Sequence, residues 1–224
     1  MTIKNSKARK FIKFLVLGCS FTFCIFSFTF LSGCGKKEVR NTGSKGKTIV
    51  CFGDSITFGY GVTKQESYPT ALAEMVNVPV INEGIDGDTS TEALQRLESD
   101  VLSRDPLLVI IELGGNDFLR KVPEEKTLKN ISDMVDKIQA RGSMVAIADI
   151  SAGMLMKNYR KAYKELARQK GAIFIPNILS GIITNPRLKS DFLHPNRDGY
   201  KIVAMRIYRT ISPYIDKKYK LVRK

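Results

Sequence analysis

The 224-residue sequence contains a single histidine, His194, and four cysteines. That scarcity removes several classes of chemistry at once. A zinc centre takes several nitrogen or sulfur ligands at fixed spacing, and one histidine with one strand cysteine cannot supply them. Cys19, Cys24 and Cys34 all fall in the first 34 residues, which leaves Cys51 alone and no disulfide framework in the remainder. Cys51 stands in the apolar run Thr48-Ile49-Val50-Cys51-Phe52 and reads as a small core hydrophobe. The chain also lacks internal repeats and low-complexity blocks beyond its N-terminal region, and it has no Gly-x-Ser-x-Gly elbow.

Acid is missing from the first 33 residues, which carry Lys4, Lys7, Arg9, Lys10 and Lys13. An apolar run over 14–31 follows, and then Leu31-Ser32-Gly33-Cys34. A basic start, an apolar stretch and a small-residue site describe an export signal. Leu-Ser-Gly-Cys resembles the lipobox of bacterial lipoproteins, which implies cleavage before Cys34 and lipid attachment to its sulfur. The competing reading is an uncleaved anchor, since the apolar run is nearly long enough to span a bilayer. Either way the rest of the chain is expected outside the cytoplasm and at a membrane.

The whole chain has 36 Lys and Arg against 22 Asp and Glu, a formal charge of +14. Five of those basic residues precede Cys34, so a processed chain has 31 against 22, or +9. Much of the excess lies in the C-terminal stretch 217–224. For a tethered, exported protein an anionic bilayer is the expected partner and nucleic acid is not. A solvated basic tail with no partner is the alternative. The composition says nothing about oligomeric state.

Four regions are expected: a signal over 1–33, a lipidated cysteine and flexible tether over 34–47, a domain over 48–216 and the basic tail over 217–224. The tether has one strongly apolar residue, Val39, and as a coil would span roughly 20 Å. From Thr48 on, short apolar runs at 48–52, 79–82, 107–113, 144–150 and 172–176 alternate with helical periodicity at 91–103, 126–141, 157–170 and 197–211. Runs of that length suit strands buried on both faces of a parallel sheet. The alternation predicts a three-layer α/β/α sandwich with a parallel, flavodoxin-like five-stranded sheet.

Sites in open α/β sheets form at the carboxyl ends of the strands, and four polar or glycine-rich segments fall there. Gly53-Asp54-Ser55 follows the first strand, Glu83-Gly84-Ile85-Asp86-Gly87-Asp88 the second and Gly114-Gly115-Asn116-Asp117 the third; Asp191-Phe192-Leu193-His194 precedes the last helix. Ester hydrolysis needs a nucleophile, a base, an orienting group and donors for the developing oxyanion. Ser55 can stand exposed at a helix start; an ordinary helix cap at Asp54 or Ser55 is the alternative. Histidine is the side chain whose ordinary pKa suits a general base, and Asp191 lies three residues before it, where a carboxylate can orient an imidazole. Gly87 allows a backbone N–H to approach a substrate, and Asn116 offers a neutral donor. Turns explain each glycine segment taken singly; their occurrence together, in this order, points to catalysis.

These stretches resemble the SGNH, or GDSL-type, hydrolase superfamily, and most nearly its thioesterase/lysophospholipase/arylesterase branch. The matching residues are Gly53-Asp54-Ser55-Ile56-Thr57, Ile85-Asp86-Gly87-Asp88-Thr89-Ser90, Glu112-Leu113-Gly114-Gly115-Asn116-Asp117 and Asp191-Phe192-Leu193-His194-Pro195-Asn196. The resemblance implies Ser55 as nucleophile, His194 as base and Asp191 as its orienter. It implies an oxyanion hole made by the Ser55 and Gly87 N–H groups and the Asn116 side chain, with no metal or cofactor. It departs from the branch after the fourth strand, where a proline- and asparagine-containing loop is replaced by Ser151-Ala152-Gly153-Met154-Leu155-Met156. Met154, Leu155 and Met156, with Phe118 and Leu119, are candidates for a soft acyl pocket; core packing is the alternative. The expected activity is hydrolysis of carboxylic esters through an acyl-enzyme, with lipid-like esters favoured by the anchor. Competing expectations are a cell-envelope carbohydrate O-deacetylase and a catalytically silent binding lipoprotein.

Overall fold

In the computed structural model, residues 38–151 and 156–220 are described, without the side chains of 216–220. Five parallel strands carry the molecule: β1 (Thr48–Gly53), β2 (Val80–Gly84), β3 (Pro106–Glu112), β4 (Met144–Ala148) and β5 (Ile173–Ile175). Their order is β2-β1-β3-β4-β5, the flavodoxin-like arrangement expected. Every residue of β3 is buried, as a central strand covered on both faces requires.

Alternate residues of each strand point to opposite faces, and each face has its own core. Ile49 and Cys51 of β1 join Leu108 and Ile110 of β3 on one side. There they meet Tyr68 and Leu72 of α2 (Tyr68–Ala73) and Tyr200, Val203, Ala204 and Ile207 of the last helix. Val50, Phe52, Val109 and Ile111 face the other way. They pack on α3 (Ser90–Asp100), α5 (Glu124–Ala140) and α6 (Lys157–Lys170). Two single-turn helices, α1 (Ser55–Phe58) and α4 (Gly115–Leu119), sit directly after β1 and β3.

Local chemistry sets the helix ends. In α3, Thr89 and Glu92 form a capping box. Two acids open α5 after Pro123, where the N-terminal dipole favours them. Gly171 closes α6 at φ +63°, a backbone conformation open to glycine. The last helix, α7 (Arg197–Lys220), runs well past the expected end at 211 and through Pro213. Ile211 and Ile215 stay buried, so the apolar stripe continues and offsets the bond that proline cannot donate. Residues 217–220 of the expected tail are therefore helical; 221–224 lie outside the described residues.

The segment read as a flexible tether is docked over most of its described length. Arg40 N–H donates to the Gly171 carbonyl at 2.8 Å, and Asn41 Nδ2 donates to the Gln139 and Ser143 carbonyls at 2.9 Å each. Lys47 N–H donates to the Asp105 carbonyl at 2.9 Å, and Ser44 is buried. These partners precede β3, β4 and β5, so the segment lies along the amino edge of the sheet. Polar composition misled here because the polar groups are the ones that fasten it.

Candidate active site

The carboxyl edge of the sheet brings the four expected segments together. Gly53 ends β1 with no room for a side chain, since a Cβ there would lie 2.2 Å from Thr57 Oγ1 and 2.3 Å from the Glu112 carbonyl oxygen. Asp54 caps α1, its Oδ1 accepting the Ile56 N–H at 3.2 Å. Ser55 is the first residue of that helix, so its N–H precedes the helical bonding pattern. With only four residues the helix has little dipole to offer, and individual N–H groups must do what the sequence suggested for a helix terminus.

His194 Nε2 lies 3.0 Å from Ser55 Oγ, while His194 Nδ1 lies 2.8 Å from Asp191 Oδ2 and 3.0 Å from Oδ1. Asp191 Oδ1 also accepts the Leu193 N–H at 2.8 Å and the His194 N–H at 2.9 Å. One carboxylate thus holds both the loop and the ring. Slight burial pushes its pKa up, but the two N–H groups and the imidazole outweigh it and leave Asp191 below the usual carboxylate value. An ionised Asp191 keeps the proton on Nδ1 and turns the Nε2 lone pair toward Ser55. Tyr60 covers the imidazole, with ring centroids 4.5 Å apart. The Tyr200 hydroxyl donates to the Tyr60 carbonyl at 3.0 Å and fixes that cover in place.

Gly87 follows β2 in a turn at φ +82°, and its carbonyl accepts from Arg120 Nη2 at 2.8 Å. Asn116 Nδ2 donates to the Asp88 carbonyl at 3.0 Å; an amide nitrogen carries a second hydrogen. Asp88 is itself fastened, since Arg96 pairs with it at 2.6 Å and reaches the Gly53 carbonyl at 3.2 Å. Arg96 therefore ties the end of β1 to the loop that holds Asn116.

Sequence reasoning missed three contributors. Asp117 is fully buried and accepts from Ser90 N at 2.8 Å, from the Ser90 hydroxyl and from Thr127 Oγ1 at 3.0 Å. It locks the turn carrying Asn116 to the start of α3. Tyr60 had no signal beyond being an aromatic among glycines. The third is the pair Asp54 and Glu112, both buried; the signal for it was an acid closing an otherwise apolar strand.

Of the pocket candidates, Phe118 and Leu119 are exposed, Phe118 edge-on to Tyr159 at 6.2 Å. Met156 is half-buried against the β3–α5–α6 core, which is the packing alternative. Met154 and Leu155 lie outside the described residues. Seven large apolar side chains are exposed among the described residues. Six of them, Phe58, Tyr60, Ile85, Phe118, Leu119 and Phe192, sit on the segments that carry Ser55, Gly87, Asn116 and His194. A cavity of about 480 Å³ between β5 and α7, lined in part by Arg206 and Arg209, contains none of these residues.

Comparison with known proteins points the same way. Residues 51–202 match the model of the GDSL-like Lipase/Acylhydrolase family. The chain is 32% identical over 170 residues to an arylesterase of Vibrio mimicus, covering 70% of this chain and 84% of that one. It is 27% identical over 180 residues to thioesterase 1/protease 1/lysophospholipase L1 of Escherichia coli (strain K12), covering 75% and 85%. Among solved structures it resembles the psychrotrophic esterase EstA from Pseudoalteromonas sp., inhibited by monoethylphosphonate, at TM-score 0.68 and 29% identity. That match covers 76% of this chain and 99% of the esterase.

Proposed function

The chain belongs to the GDSL-like lipase/acylhydrolase family and is a carboxylic ester hydrolase, and from that premise we propose that Ser55, His194 and Asp191 carry the reaction on lipid-like acyl esters. The observation that carries the reading is the unbroken line from Ser55 Oγ through the imidazole to Asp191. His194 takes the Ser55 proton as Oγ attacks the ester carbonyl. The carbonyl oxygen becomes an oxyanion, met by the Ser55 and Gly87 N–H groups and the Asn116 amide. The imidazolium, held by Asp191, gives its proton to the departing alcohol and leaves an acyl-enzyme. Water then attacks with His194 again as base, and the acid is released.

The apolar rim supports an acyl substrate with hydrocarbon to bury. Each CH₂ taken out of water adds about 0.8 kcal/mol, and Ile85, Phe118, Leu119 and Phe192 stand exposed on the segments that carry the reacting groups. Cys34 is the proposed lipidation site, which makes the protein an extracytoplasmic lipoprotein. No helix among the described residues is long and apolar enough to cross a membrane.

A fluorophosphonate probe should label Ser55 and no other residue, and Ser55→Ala should abolish both labelling and turnover while the protein stays folded. Labelling elsewhere, or turnover kept in the variant, ends the assignment. A chain-length series of p-nitrophenyl esters tests the substrate class. An optimum at medium or long chains, reduced in Leu119→Ser and Phe192→Ser, supports the lipid-like reading. An optimum at acetate, insensitive to both changes, replaces it with an O-deacetylase. Mass spectrometry of the mature N-terminus decides the anchor, and an unmodified Cys34 thiol on a cleaved protein refutes it.

A further inference from the structure

Behind Ser55 lie two carboxyl groups to which the reaction above gives no task. Asp54 and Glu112 are almost wholly inaccessible to solvent and adjoin each other, the Asp54 N–H meeting the Glu112 carbonyl and both side chains bonding to the short helix that Ser55 opens. Two ionised carboxylates side by side in a dry site repel each other, so burial favours leaving one of them a neutral acid that can donate to the other.

The pair touches both the Ser55 turn and the approach to Asn116. Asp54 accepts the Ile56 N–H, and its own N–H donates to the Glu112 carbonyl at 3.2 Å. Glu112 Oε2 accepts from Thr57 Oγ1 at 2.8 Å, and Thr57 meets the Tyr68 hydroxyl at 3.0 Å. Gly115, the residue before Asn116, packs so close that a Cβ there would stand 3.3 Å from Asp54 Oδ2. The pair therefore joins the Ser55 turn, the end of β3 and the approach to Asn116.

Among the described residues no cation forms an ion pair with either carboxyl. Asp117 of α4 and Asp88 of the β2–α3 loop face Asp54 with negative charge. Cys51 of β1, Tyr68 of α2, Tyr163 of α6 and Tyr200 of α7 surround this cluster, and burial keeps all four protonated. Arg96 of α3 is committed to Asp88, Asp100 and the Gly53 carbonyl. Burial, the largest influence, raises both carboxyl pKa values. The Asp117 and Asp88 charges add to the rise at Asp54, and the Asp54 charge adds to it at Glu112.

We propose that Asp54 and Glu112 are positioning residues that share one proton, that this hydrogen bond holds the Ser55 turn against the Asn116 segment, and that losing the proton in alkaline solution switches hydrolysis off. The inference rests on Ser55 as nucleophile. When the shared proton leaves for solvent, two like charges face each other in a dry site, where Coulomb repulsion is strong. The turn is pushed from β3, and extra negative charge stands beneath the position where the oxyanion forms.

The test is kcat/KM against pH for the wild type, Glu112→Ala and Glu112→Gln. The wild type should show an acid limb, from His194, and an alkaline limb falling about one decade per pH unit. Glu112→Ala should lose roughly 10²-fold at neutral pH, the usual scale for misplaced catalytic groups. Glu112→Gln should recover most of that loss, because its amide donates to Asp54 and accepts from Thr57, and its alkaline limb should be gone. A wild-type rate that stays flat into alkali, or an unchanged alkaline limb in Glu112→Gln, overturns the inference. A missing acid limb in the wild type instead overturns the Ser55–His194 reading. Should neither variant fold, infrared spectra of the wild type decide. A protonated-carboxyl band at neutral pH that disappears in step with activity supports the pair, and no such band refutes it.

Discussion

Tyr60 lies over the His194 imidazole at 4.5 Å between centroids and 37° between planes. The ring is thus held from two sides, by Asp191 in its plane and by Tyr60 on its face. The Tyr60 backbone is fastened in turn by Tyr200, on α7, six residues after His194. Aromatic contacts of this kind contribute about 0.5–1.5 kcal/mol beyond area burial. Tyr60→Ala should accordingly lower kcat/KM by roughly three- to tenfold, while Tyr60→Phe stays close to wild type. Steady-state kinetics on a short-chain ester checks this, and equal losses in both variants would point to the hydroxyl instead of the ring.

Asp191→Asn preserves size and can still accept the Leu193 and His194 N–H groups. It presents an N–H where Nδ1 needs an acceptor, and so favours the wrong tautomer. A drop in kcat of roughly 10³–10⁴-fold is expected. The melting temperature should move little, because the loop keeps its backbone bonds. Calorimetry beside kinetics separates this outcome from simple loss of the loop.

Gly87 and Asn116 should fail in different ways. Asn116→Ala removes one donor and should cost kcat about 10²–10³-fold with KM changed far less. Gly87→Ala puts a Cβ on a residue at φ +82°, which costs about 1–2 kcal/mol of backbone strain. It should lower both the melting temperature and kcat, since the turn must rearrange and carry its N–H away. A Gly87→Ala variant with wild-type stability and rate would remove that N–H from the oxyanion hole.

The buried pair makes a stability prediction distinct from its kinetic one. Both carboxyls bind protons more tightly in the folded protein than in the unfolded chain. Folding therefore takes up protons between the unfolded value, about 4, and the raised folded values. The stabilisation is complete below that window and is lost as pH rises through the folded pKa values. Wild-type melting temperature should fall as pH rises from about 4 through the folded pKa values, and Glu112→Gln should flatten that fall. Thermal scans from mildly acid to alkaline pH read it directly.

Much of this was legible in the residues, and for identifiable reasons. Strands β1, β3 and β4 are continuous apolar runs, and only burial on both faces gives such runs in a short strand. The end of α6 was marked by Gly171 and its face by Tyr159, Tyr163 and Ala167, which are buried. A lone histidine left no choice of base. The helix α2 was missed because six residues carry little periodicity, although Pro69 beside Ser67 is a recognisable start. The docked segment 40–47 and the carboxyl pair were missed for a shared reason. A polar side chain shows its residue type in the sequence but not its partner, and here Asn41 spends its amide on two carbonyls and Glu112 accepts from Thr57 in the core.

The fastening of Arg40 to Gly171 sets the length of a leash. Between Cys34 and Arg40 there are six peptide steps, at most about 21 Å of fully extended chain. Arg40 is held at the amino edge of the sheet, and the six residues of β1 alone carry the backbone about 20 Å to Ser55 at the opposite edge. Chain entering the domain at Arg40 thus enters behind the catalytic edge, about one strand's length from Ser55. The lipid proposed at Cys34 would therefore pull on the domain from the edge opposite Ser55.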